Sequence, residues 1–426
     1  MGKLGILVGG GPAPGINSVI GAATIRACLS GAQVIGIHDG YRWLMDGDTS
    51  HVSELTIAQT GRIHFRGGSF LGISRANPTK EAKHLANVVR SLEKLGVDRL
   101  ISIGGDGTSY CTSAVSKAAK GKIKVVHVPK TIDNDISLPS DVYTFGFQTA
   151  RHVGVDIVQN LMVDAKTTSR WYFVVAMGRT AGHLALGIGK AAGATLSLIP
   201  EEFDHDTPLA SVVDVLAGAI IKRLSQGRSD GVALLAEGLA EVIRESDLRD
   251  LVATDRDAHG YKRVAEVDIG MILRREVEKR LASHGISSTI VSKNIGYELR
   301  CADPIPFDME YTRDLGYAAA RYVLEGGDRM IVNFQSGIFN PIPFDALLNP
   351  DGTRMRVRLV DLESDRYKIA HTYMLRIRRE DFDSKESLNA LANVAKMSAE
   401  DFRAMYGGLI DVERRSMILQ LKPGSP

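Results

Sequence analysis

The chain has 426 residues, of which 44% are hydrophobic and 24% charged, and these proportions exclude a disordered chain, a fibre and a small disulfide scaffold. With 52 Lys and Arg against 50 Asp and Glu, it lacks the charge excess of a dedicated nucleic-acid binder, and no apolar run approaches the roughly 18 residues of a membrane span. Three distant cysteines without CxxC spacing, and a start with no long apolar core, predict a cytoplasmic protein without a signal peptide.

Short apolar strands alternate with helical patterns along the chain. The first series of predicted elements is strand 4–8, helix 16–29, strand 34–37, helix 81–95, strand 99–103, helix 108–120 and strand 123–128. A second series begins near residue 145, with helix 153–163, strand 171–176, helix 181–192, strands 195–199 and 231–235, helix 266–284 and, in a more charged region, helix 385–397. This alternation indicates an α/β fold whose parallel sheets are covered on both faces.

Two glycine-rich turns each follow a predicted strand and open a predicted helix. They are Gly9–Asn17 and Gly104–Thr108. Glycines let a phosphate approach the backbone, and the amides of a helix N-terminus favour an anion. Both turns therefore predict phosphate binding, with a tight structural turn as the alternative for the first. Neither GxGxxG nor the P-loop pattern is present, which argues against a dinucleotide enzyme.

Asp106 places a carboxylate inside the second glycine turn. A bare carboxylate there would repel a phosphate, so we predict that Asp106 holds Mg²⁺; a helix N-cap is the alternative. Asp133 and Asp135 follow strand 123–128 and would face the same side of an extended segment. One of them could accept a hydroxyl proton, unless the pair belongs to a turn that caps the next helix.

Further charged residues lie at the ends of later strands. Arg179 is placed to clamp a phosphate. Glu237 can accept hydrogen bonds from sugar hydroxyls or mark a solvated strand end. Lys293 and Arg300, with Tyr297 between them, suit a second phosphate or form a solvated basic loop.

Taken together, these motifs resemble those of the 6-phosphofructokinase family. In chain order the resemblance rests on Gly10–Asn17, Gly68–Arg75, Gly104–Thr108, Pro129–Asp135, Met177–Arg179 and Gly296–Arg300. It spans roughly residues 4 to 350 and is greatest to long bacterial chains of the mixed-substrate group, which includes pyrophosphate-dependent members. It implies two α/β/α Rossmann-like lobes. Residues 1–144 plus about 299–345 would form a phosphoryl-donor-binding lobe, residues 145–298 a sugar-phosphate-binding lobe, and about 346–426 a C-terminal extension that packs on the lobes.

The resemblance also implies a reaction and residue roles. A terminal phosphoryl group would pass, with Mg²⁺, to the 1-hydroxyl of fructose 6-phosphate in glycolysis, with Asp133 as general base and Thr131 and Arg179 as further catalytic residues. The substrate-binding residues would be Thr131, Asp133, Asp135, Arg170, Met177, Gly178, Arg179, Glu237, Lys293, Tyr297 and Arg300. The donor would contact Gly10, Tyr41, Arg75, Gly104, Gly105, Asp106, Gly107 and Thr108, with Asp106 on the metal. Because the family supplies the arginine matching Arg170 from a neighbouring subunit, we expect a homodimer or homotetramer.

Two positions bear on the donor and disagree. Pyrophosphate enzymes usually have Asp where Gly107 stands, and its bulk and charge would collide with the α-phosphate of ATP. Lys130 is a residue that pyrophosphate enzymes carry. A repulsive side chain excludes a ligand, whereas an attractive one such as Lys130 only changes its affinity. Because the repulsive Asp is absent, the sequence favours ATP, with a reversible pyrophosphate-dependent enzyme as the alternative. A sugar-phosphate sensor without catalysis is a remote alternative, which the intact set Asp106, Asp133 and Arg179 disfavours.

Overall fold

The computed structural model describes residues 2–252 and 268–409, which form two compact units. Unit 1 comprises Met1–Val153 and Tyr297–Arg358, and unit 2 comprises Gly154–Gly296 and Leu359–Pro426. The chain therefore passes from one unit to the other more than once. The region expected to be a C-terminal extension is divided at residue 358 between the two units. No helix in the described ranges is long and apolar enough to cross a membrane.

The strands are short in both units. In chain order they are β1 (Lys3–Val8), β2 (Val34–Ile37), β3 (Val52–Glu54), β4 (Val97–Gly104), β5 (Lys124–Thr131), β6 (Phe145–Gly146), β7 (Trp171–Ala176), β8 (Leu196–Leu198), β9 (Gly231–Ala236), β10 (Ile290–Ile295), β11 (Met330–Ile331), β12 (Phe334–Gln335), β13 (Ile338–Phe339) and β14 (Ile342–Pro343).

Helices connect most of these strands. They are α1 (Ile16–Leu29), α2 (Arg42–Met45), α3 (Ile57–Thr60), α4 (Ala82–Lys94), α5 (Asp106–Ala119), α6 (Phe147–Thr168), α7 (His183–Ala192), α8 (Leu209–Ser225), α9 (Leu239–Val242), α10 (Glu245–Val252), α11 (Ile269–Ser283), α12 (Tyr297–Arg300), α13 (Pro306–Leu324), α14 (Asp365–Tyr373), α15 (Arg379–Asp383), α16 (Lys385–Val394) and α17 (Ala399–Tyr406). The first positions of the predicted helix 266–284 lie outside the described residues.

Unit 1 is built on one mixed sheet with strand order β14-β11-β5-β4-β1-β2-β3 and with β6 beside β5. The central strands β5, β4, β1 and β2 are parallel. Their side chains alternate between two apolar clusters: Ile6 faces the cluster that holds α1 and α13, whereas Leu7 faces the one that holds α4 and α5. Both faces of the sheet are therefore covered by helices, as the near-continuous apolar strands predict.

Unit 2 is built on a fully parallel sheet with strand order β10-β7-β9-β8. Leu235 faces a cluster with α8 and α11, and Leu234 faces α7, where a Cβ built on Gly189 would lie 3.4 Å from it. The C-terminal segment completes the first cluster with Phe382, Leu391 and Phe402, which are buried. A region rich in charge thus contributes to the core of unit 2.

Candidate active site

The first glycine turn of unit 1 is fixed by backbone hydrogen bonds to two neighbouring segments. The amide of Gly9 donates to the Ile103 carbonyl and that of Gly10 to the Ser74 carbonyl, each at 2.9 Å. Gly15 precedes α1 with a φ of 103°, a left-handed conformation that side chains other than glycine disfavour. These bonds place Arg75, an exposed residue next to Ser74, directly beside the turn.

The two glycine turns meet at the side chain of Thr108. A Cβ built on Gly9 would lie 2.6 Å from Thr108 Oγ1, and one built on Gly104 would lie 2.3 Å from Thr108 Cβ. These separations are below any ordinary contact, so a side chain at either glycine would displace the threonine. The structure therefore brings Gly9–Asn17 and Gly104–Thr108 together, as expected for turns at the carboxyl ends of adjacent parallel strands.

Two cations flank the first turn. Lys130 is only 3% exposed, and its Nζ donates a hydrogen bond to the Gly11 carbonyl. The guanidinium of Arg300 lies about 4 Å from the position that a Cβ on Gly11 would occupy, and its Cζ lies 5.6 Å from the centre of the Tyr297 ring. Tyr297 and Arg300 both belong to unit 1, whereas the predicted boundary near residue 298 put Tyr297 in the sugar-phosphate-binding lobe.

Helix α5 begins inside the second glycine turn. Gly105 is the N-cap residue and Asp106 the first helical residue, so the N-cap alternative for Asp106 is wrong. A Cβ built on Gly107 would meet no atom within 4 Å. Space for a ligand is therefore open beside the N-terminus of a helix of 14 residues, where amides favour an anion.

The residues present fit a magnesium ion only in combination with a phosphate ligand. Within residues 2–252 and 268–409, no group of three or more His, Cys, Asp and Glu side chains is placed to hold a metal ion. Mg²⁺ commonly keeps several waters and takes one or two carboxylates together with substrate phosphates. The single carboxylate of Asp106, at the open N-terminus of α5, fits that set of ligands.

The segment that carries Asp133 and Asp135 is not extended, which corrects the reason for which the two acids were paired. Asn134, between them, has a φ of 56°, and this left-handed residue breaks strand alternation. Both carboxylate residues are nevertheless buried, at 4% and 5% exposure. The Asp133 amide donates to Thr131 Oγ1 at 3.0 Å, so Thr131 and Asp133 form one turn at the end of β5.

Tyr41 lies in the core of unit 1 rather than on its surface. The side chain is 2% exposed, and its hydroxyl is 2.9 Å from Thr112 Oγ1. Burial raises the pKa of the hydroxyl. Contact between Tyr41 and a phosphoryl donor stays a prediction.

In unit 2, Glu237 supports the turn that carries Arg179. The Glu237 Oε2 accepts hydrogen bonds from the amides of Gly178, at 3.2 Å, and Arg179, at 3.3 Å. Arg179 has a φ of 50°, and a Cβ built on Gly238 would lie 2.3 Å from its carbonyl oxygen. The structure thus brings the predicted residues Gly178, Arg179 and Glu237 together at the ends of β7 and β9.

The other predicted residues of unit 2 lie on or next to the same sheet. The Met177 amide donates to the Ile295 carbonyl at 3.1 Å, and Lys293 is paired with Val174 in β10, so Lys293 lies on a strand rather than in a loop. Arg170 immediately precedes β7, and its Nε lies 3.8 Å from Asp164 Oδ2.

Sequence reasoning did not identify the contacts by which two side chains, Asn17 and Glu201, hold these turns. Asn17 accepts from the Phe70 amide at 2.7 Å and donates to the Arg66 and Gly67 carbonyls, which ties the Gly68–Arg75 segment to the first turn. Glu201 accepts from the amides of Gly182 and Val360, each at 2.9 Å, and burial raises its pKa. The partners of both side chains are mainly backbone groups, which leave no signature in the sequence.

A family model described as phosphofructokinase matches residues 3–323. The chain belongs to the phosphofructokinase family. It is a phosphotransferase, and the family and enzyme class predicted from the motifs are confirmed.

Relatives of this phosphofructokinase differ in their donor. The pyrophosphate–fructose 6-phosphate 1-phosphotransferase of Thermotoga maritima is 50% identical, over 95% of this chain and 98% of its own. The enzyme of that name from Naegleria fowleri is 47% identical, over 96% and 95%. An ATP-dependent 6-phosphofructokinase from Halalkalibacterium halodurans is 28% identical, over 87% and 98%.

Solved structures of phosphofructokinases share the fold. That of the Saccharomyces cerevisiae phosphofructokinase matches with a TM-score of 0.67 and 18% identity, over 100% of this chain and 52% of the yeast chain. A pyrophosphate-dependent phosphofructokinase from Marinobacter aquaeolei matches with a TM-score of 0.65 and 15% identity, over 92% and 91%. The predicted α/β fold of the family is confirmed.

Proposed function

We propose that the protein transfers a phosphoryl group from pyrophosphate to the 1-hydroxyl of fructose 6-phosphate, releasing fructose 1,6-bisphosphate and phosphate. The observation that supports pyrophosphate as the donor is the 50% and 47% identity, over nearly the whole chain, to two pyrophosphate enzymes, against 28% to 33% to ATP-dependent enzymes. The preference for ATP drawn from Gly107 is thus less well supported than its alternative. The open space at Gly107 removes an obstacle to ATP, but it supplies no binding energy for adenosine.

Lys130 supports the same donor. Pyrophosphate has no nucleoside, so its binding depends on contacts to its phosphates alone. A buried ammonium that donates to the Gly11 carbonyl in the first glycine turn places positive charge where the water that would screen it is excluded. Such charge, fixed before the ligand arrives, stabilises the charge that develops on the phosphoryl oxygens during transfer.

The chemistry rests on Asp133. Its carboxylate would take the proton of the 1-hydroxyl while the sugar oxygen attacks the terminal phosphorus, and the bond to the bridging oxygen of pyrophosphate breaks to release phosphate. Thr131 and Asp135 would orient the hydroxyl. Phosphoryl transfer needs little covalent participation from the protein, so positioning and charge supply most of the rate.

The donor would lie against the two glycine turns of unit 1, with contacts to Gly10, Arg75 and the amides of Gly104–Thr108. Magnesium held by Asp106 would offset the negative charge of the phosphates. Met177, Gly178, Arg179, Glu237, Lys293, Tyr297 and Arg300 would bind fructose 6-phosphate, with Arg170 of a neighbouring subunit in a homo-oligomer. A glycolytic role and a cytoplasmic location follow as predictions from the same assignment.

Initial rates with each donor test the proposal. Fructose 6-phosphate and Mg²⁺ are supplied with either pyrophosphate or ATP, and we expect kcat/KM for pyrophosphate to exceed that for ATP by at least ~100-fold, which corresponds to about 2.7 kcal/mol of transition-state stabilisation. The reverse reaction, from fructose 1,6-bisphosphate and phosphate, should also proceed. A kcat/KM for ATP equal to or above that for pyrophosphate would identify ATP as the donor instead. No turnover with either donor would favour the sugar-phosphate sensor.

A further inference from the structure

Arg358 is a half-buried residue at the end of unit 1, and it lies against the segment that carries Asp133 and Asp135. Its backbone amide donates to the Asp135 carbonyl at 2.7 Å. The preceding residue, Val357, forms an antiparallel bridge with Ile136. The chain around Arg358 therefore runs antiparallel alongside the acidic segment, held by this isolated bridge and hydrogen bond.

The guanidinium of Arg358 holds the loop that follows the two acids. Its Nε donates to the Asn134 carbonyl at 3.1 Å, and its Nη2 donates to the Asn134 side-chain oxygen. Its Nη1 donates to the carbonyls of Val142, at 2.8 Å, and Pro139, at 3.1 Å. One planar group thus satisfies acceptors at both ends of the loop from Asn134 to Val142, a use that suits the rigid donor geometry of arginine.

The same loop is tied back to the end of β5. Thr144 Oγ1 donates to the Thr131 carbonyl at 2.8 Å, and the Thr144 amide donates to the Asn134 side-chain oxygen at 3.1 Å. Asn134 therefore joins Arg358 and Thr144 while its own backbone is left-handed. Asparagine tolerates that conformation better than most residues with a side chain, and these hydrogen bonds hold it in place.

Removal of the guanidinium would leave several buried acceptors without their donor. Leu138 and Val142, whose carbonyls accept from Arg358, are buried, and unsatisfied buried polar groups are costly. Burial lowers the pKa of Arg358, with the charge of Asp135 acting against this shift. The cation therefore also lies within electrostatic reach of the second acid.

We propose that Arg358 is a positioning residue, which sets the geometry of the Thr131–Asp135 turn so that the Asp133 carboxylate faces the acceptor hydroxyl. This inference rests on the proposed function, because it takes Asp133 as the base. Phosphoryl transfer depends strongly on alignment, and a misplacement of about 1 Å can lower the rate by about 100-fold.

Three variants of the full-length protein test this role: Arg358→Ala, Arg358→Lys and, as a matched control, Arg356→Ala. Arg356 is an exposed arginine on the same segment, and its side chain donates to the Ala346 carbonyl, outside the loop. For each variant kcat, KM for both substrates and the melting temperature are measured, with the donor that the wild type uses. If the wild type uses neither donor, the proposed function fails, and that result is distinct from any effect of Arg358.

For Arg358→Ala we expect kcat to fall by about 30- to 100-fold, with KM for both substrates within about 3-fold. Arg358→Lys keeps the charge but cannot reach all the acceptors, so it should recover part of this loss, whereas Arg356→Ala should match the wild type. Guanidinium ion added at millimolar concentration should partly restore Arg358→Ala. A folded Arg358→Ala protein with the kcat of the wild type overturns the proposal. The proposal is also overturned if kcat in both Arg358 variants falls only in proportion to the fraction of folded protein, since that result indicates a purely structural role.

Discussion

At the scale of single residues, His127 shows how a buried side chain supports the site without taking part in transfer. Its Nε2 lies 3.0 Å from the Gly104 carbonyl and its Nδ1 lies 3.3 Å from Ser102 Oγ. Because a carbonyl only accepts, Nε2 carries the proton. Burial lowers the pKa of His127 to about 3, so the ring remains neutral at physiological pH and holds the second glycine turn through a neutral hydrogen bond.

This neutral histidine predicts a pH dependence of stability. Below the ordinary pKa of 6.5, the unfolded chain binds a proton that the folded chain cannot bind until pH nears 3. The free energy of unfolding should therefore fall as pH drops from about 6.5, by up to about 1.4 kcal/mol per pH unit from this group. Urea unfolding from about pH 7 to about pH 4 measures the slope, and His127→Gln, which retains an N–H donor but does not titrate, should show a smaller one. Equal slopes in the two proteins would contradict the assignment.

Two residues near the proposed base, Asn134 and Arg358, have roles that the sequence did not indicate. Asp133 and Asp135 were selected from their spacing, yet the left-handed Asn134 between them was not foreseen, because asparagine gives only a weak signal for this conformation. Arg358 was missed altogether. Apart from the Asn134 side-chain oxygen, its acceptors are backbone carbonyls as many as 224 positions away in the chain, and any residue type presents the same carbonyl.

At the scale of elements, the first turn of α5 is a place where a substitution can change the choice of phosphoryl donor without destabilising the fold. Gly107 is the second residue of the helix, and a side chain there would enter open space. Glycine inside a helix is unfavourable by roughly 0.5 to 1 kcal/mol relative to alanine, so a substitution is not expected to weaken the fold. The position therefore separates effects on the ligand from effects on stability.

We predict that Gly107→Asp abolishes any residual use of ATP while activity with pyrophosphate stays within about 3-fold. The carboxylate would repel and obstruct the α-phosphate of ATP. Pyrophosphate has only two phosphates and no group in that position, so its binding should not be affected. Gly107→Ala is the matched control, since it adds a methyl group without charge and should leave both donors little changed. Steady-state rates with each donor give the answer. Full retention of ATP activity in the aspartate variant would contradict the steric argument.

Predicted elements agree with the structure where one face or both faces of an element are buried. Helix α1 and strands β2 and β7 begin and end at the residues predicted from their apolar runs. Strand β10 was missed because the polar residues Ser292, Lys293 and Asn294 interrupt it. Within the described residues β10 is an edge strand of its sheet and pairs with β7 alone, so its side chains are less enclosed than those of a central strand and can be polar.

At the scale of the whole molecule, the proposal of a shared site makes a prediction about mixed oligomers. If Arg170 acts on the site of a neighbouring subunit, Arg170→Ala and Asp133→Ser would each be defective alone, with at least ~100-fold lower kcat for the loss of the base. Co-expressed with different tags and purified through both, they should recover up to about half of the wild-type activity as a dimer, because one shared site contains both intact residues.

Light scattering of the doubly tagged material reports whether it is oligomeric, and its activity is compared with that of each variant purified alone. Arg170→Lys serves as the control that keeps the charge. A mixed oligomer as inactive as its two components would show that Arg170 acts within its own subunit.

The sequence by itself determined the family, the α/β class and the residue types at the phosphate turns, because glycine turns after apolar strands and acids in fixed order are local patterns. Only the tertiary structure decided which distant segments meet. Thr108 packs against both glycine turns, Lys130 donates to the Gly11 carbonyl, and Arg358 donates to the segment that carries Asp133 and Asp135. The tertiary structure also divided the C-terminal region between two units. The first contact requires glycine in both turns, but the sequence does not show which side chain packs against them. The other two contacts use backbone carbonyls, which every residue type presents.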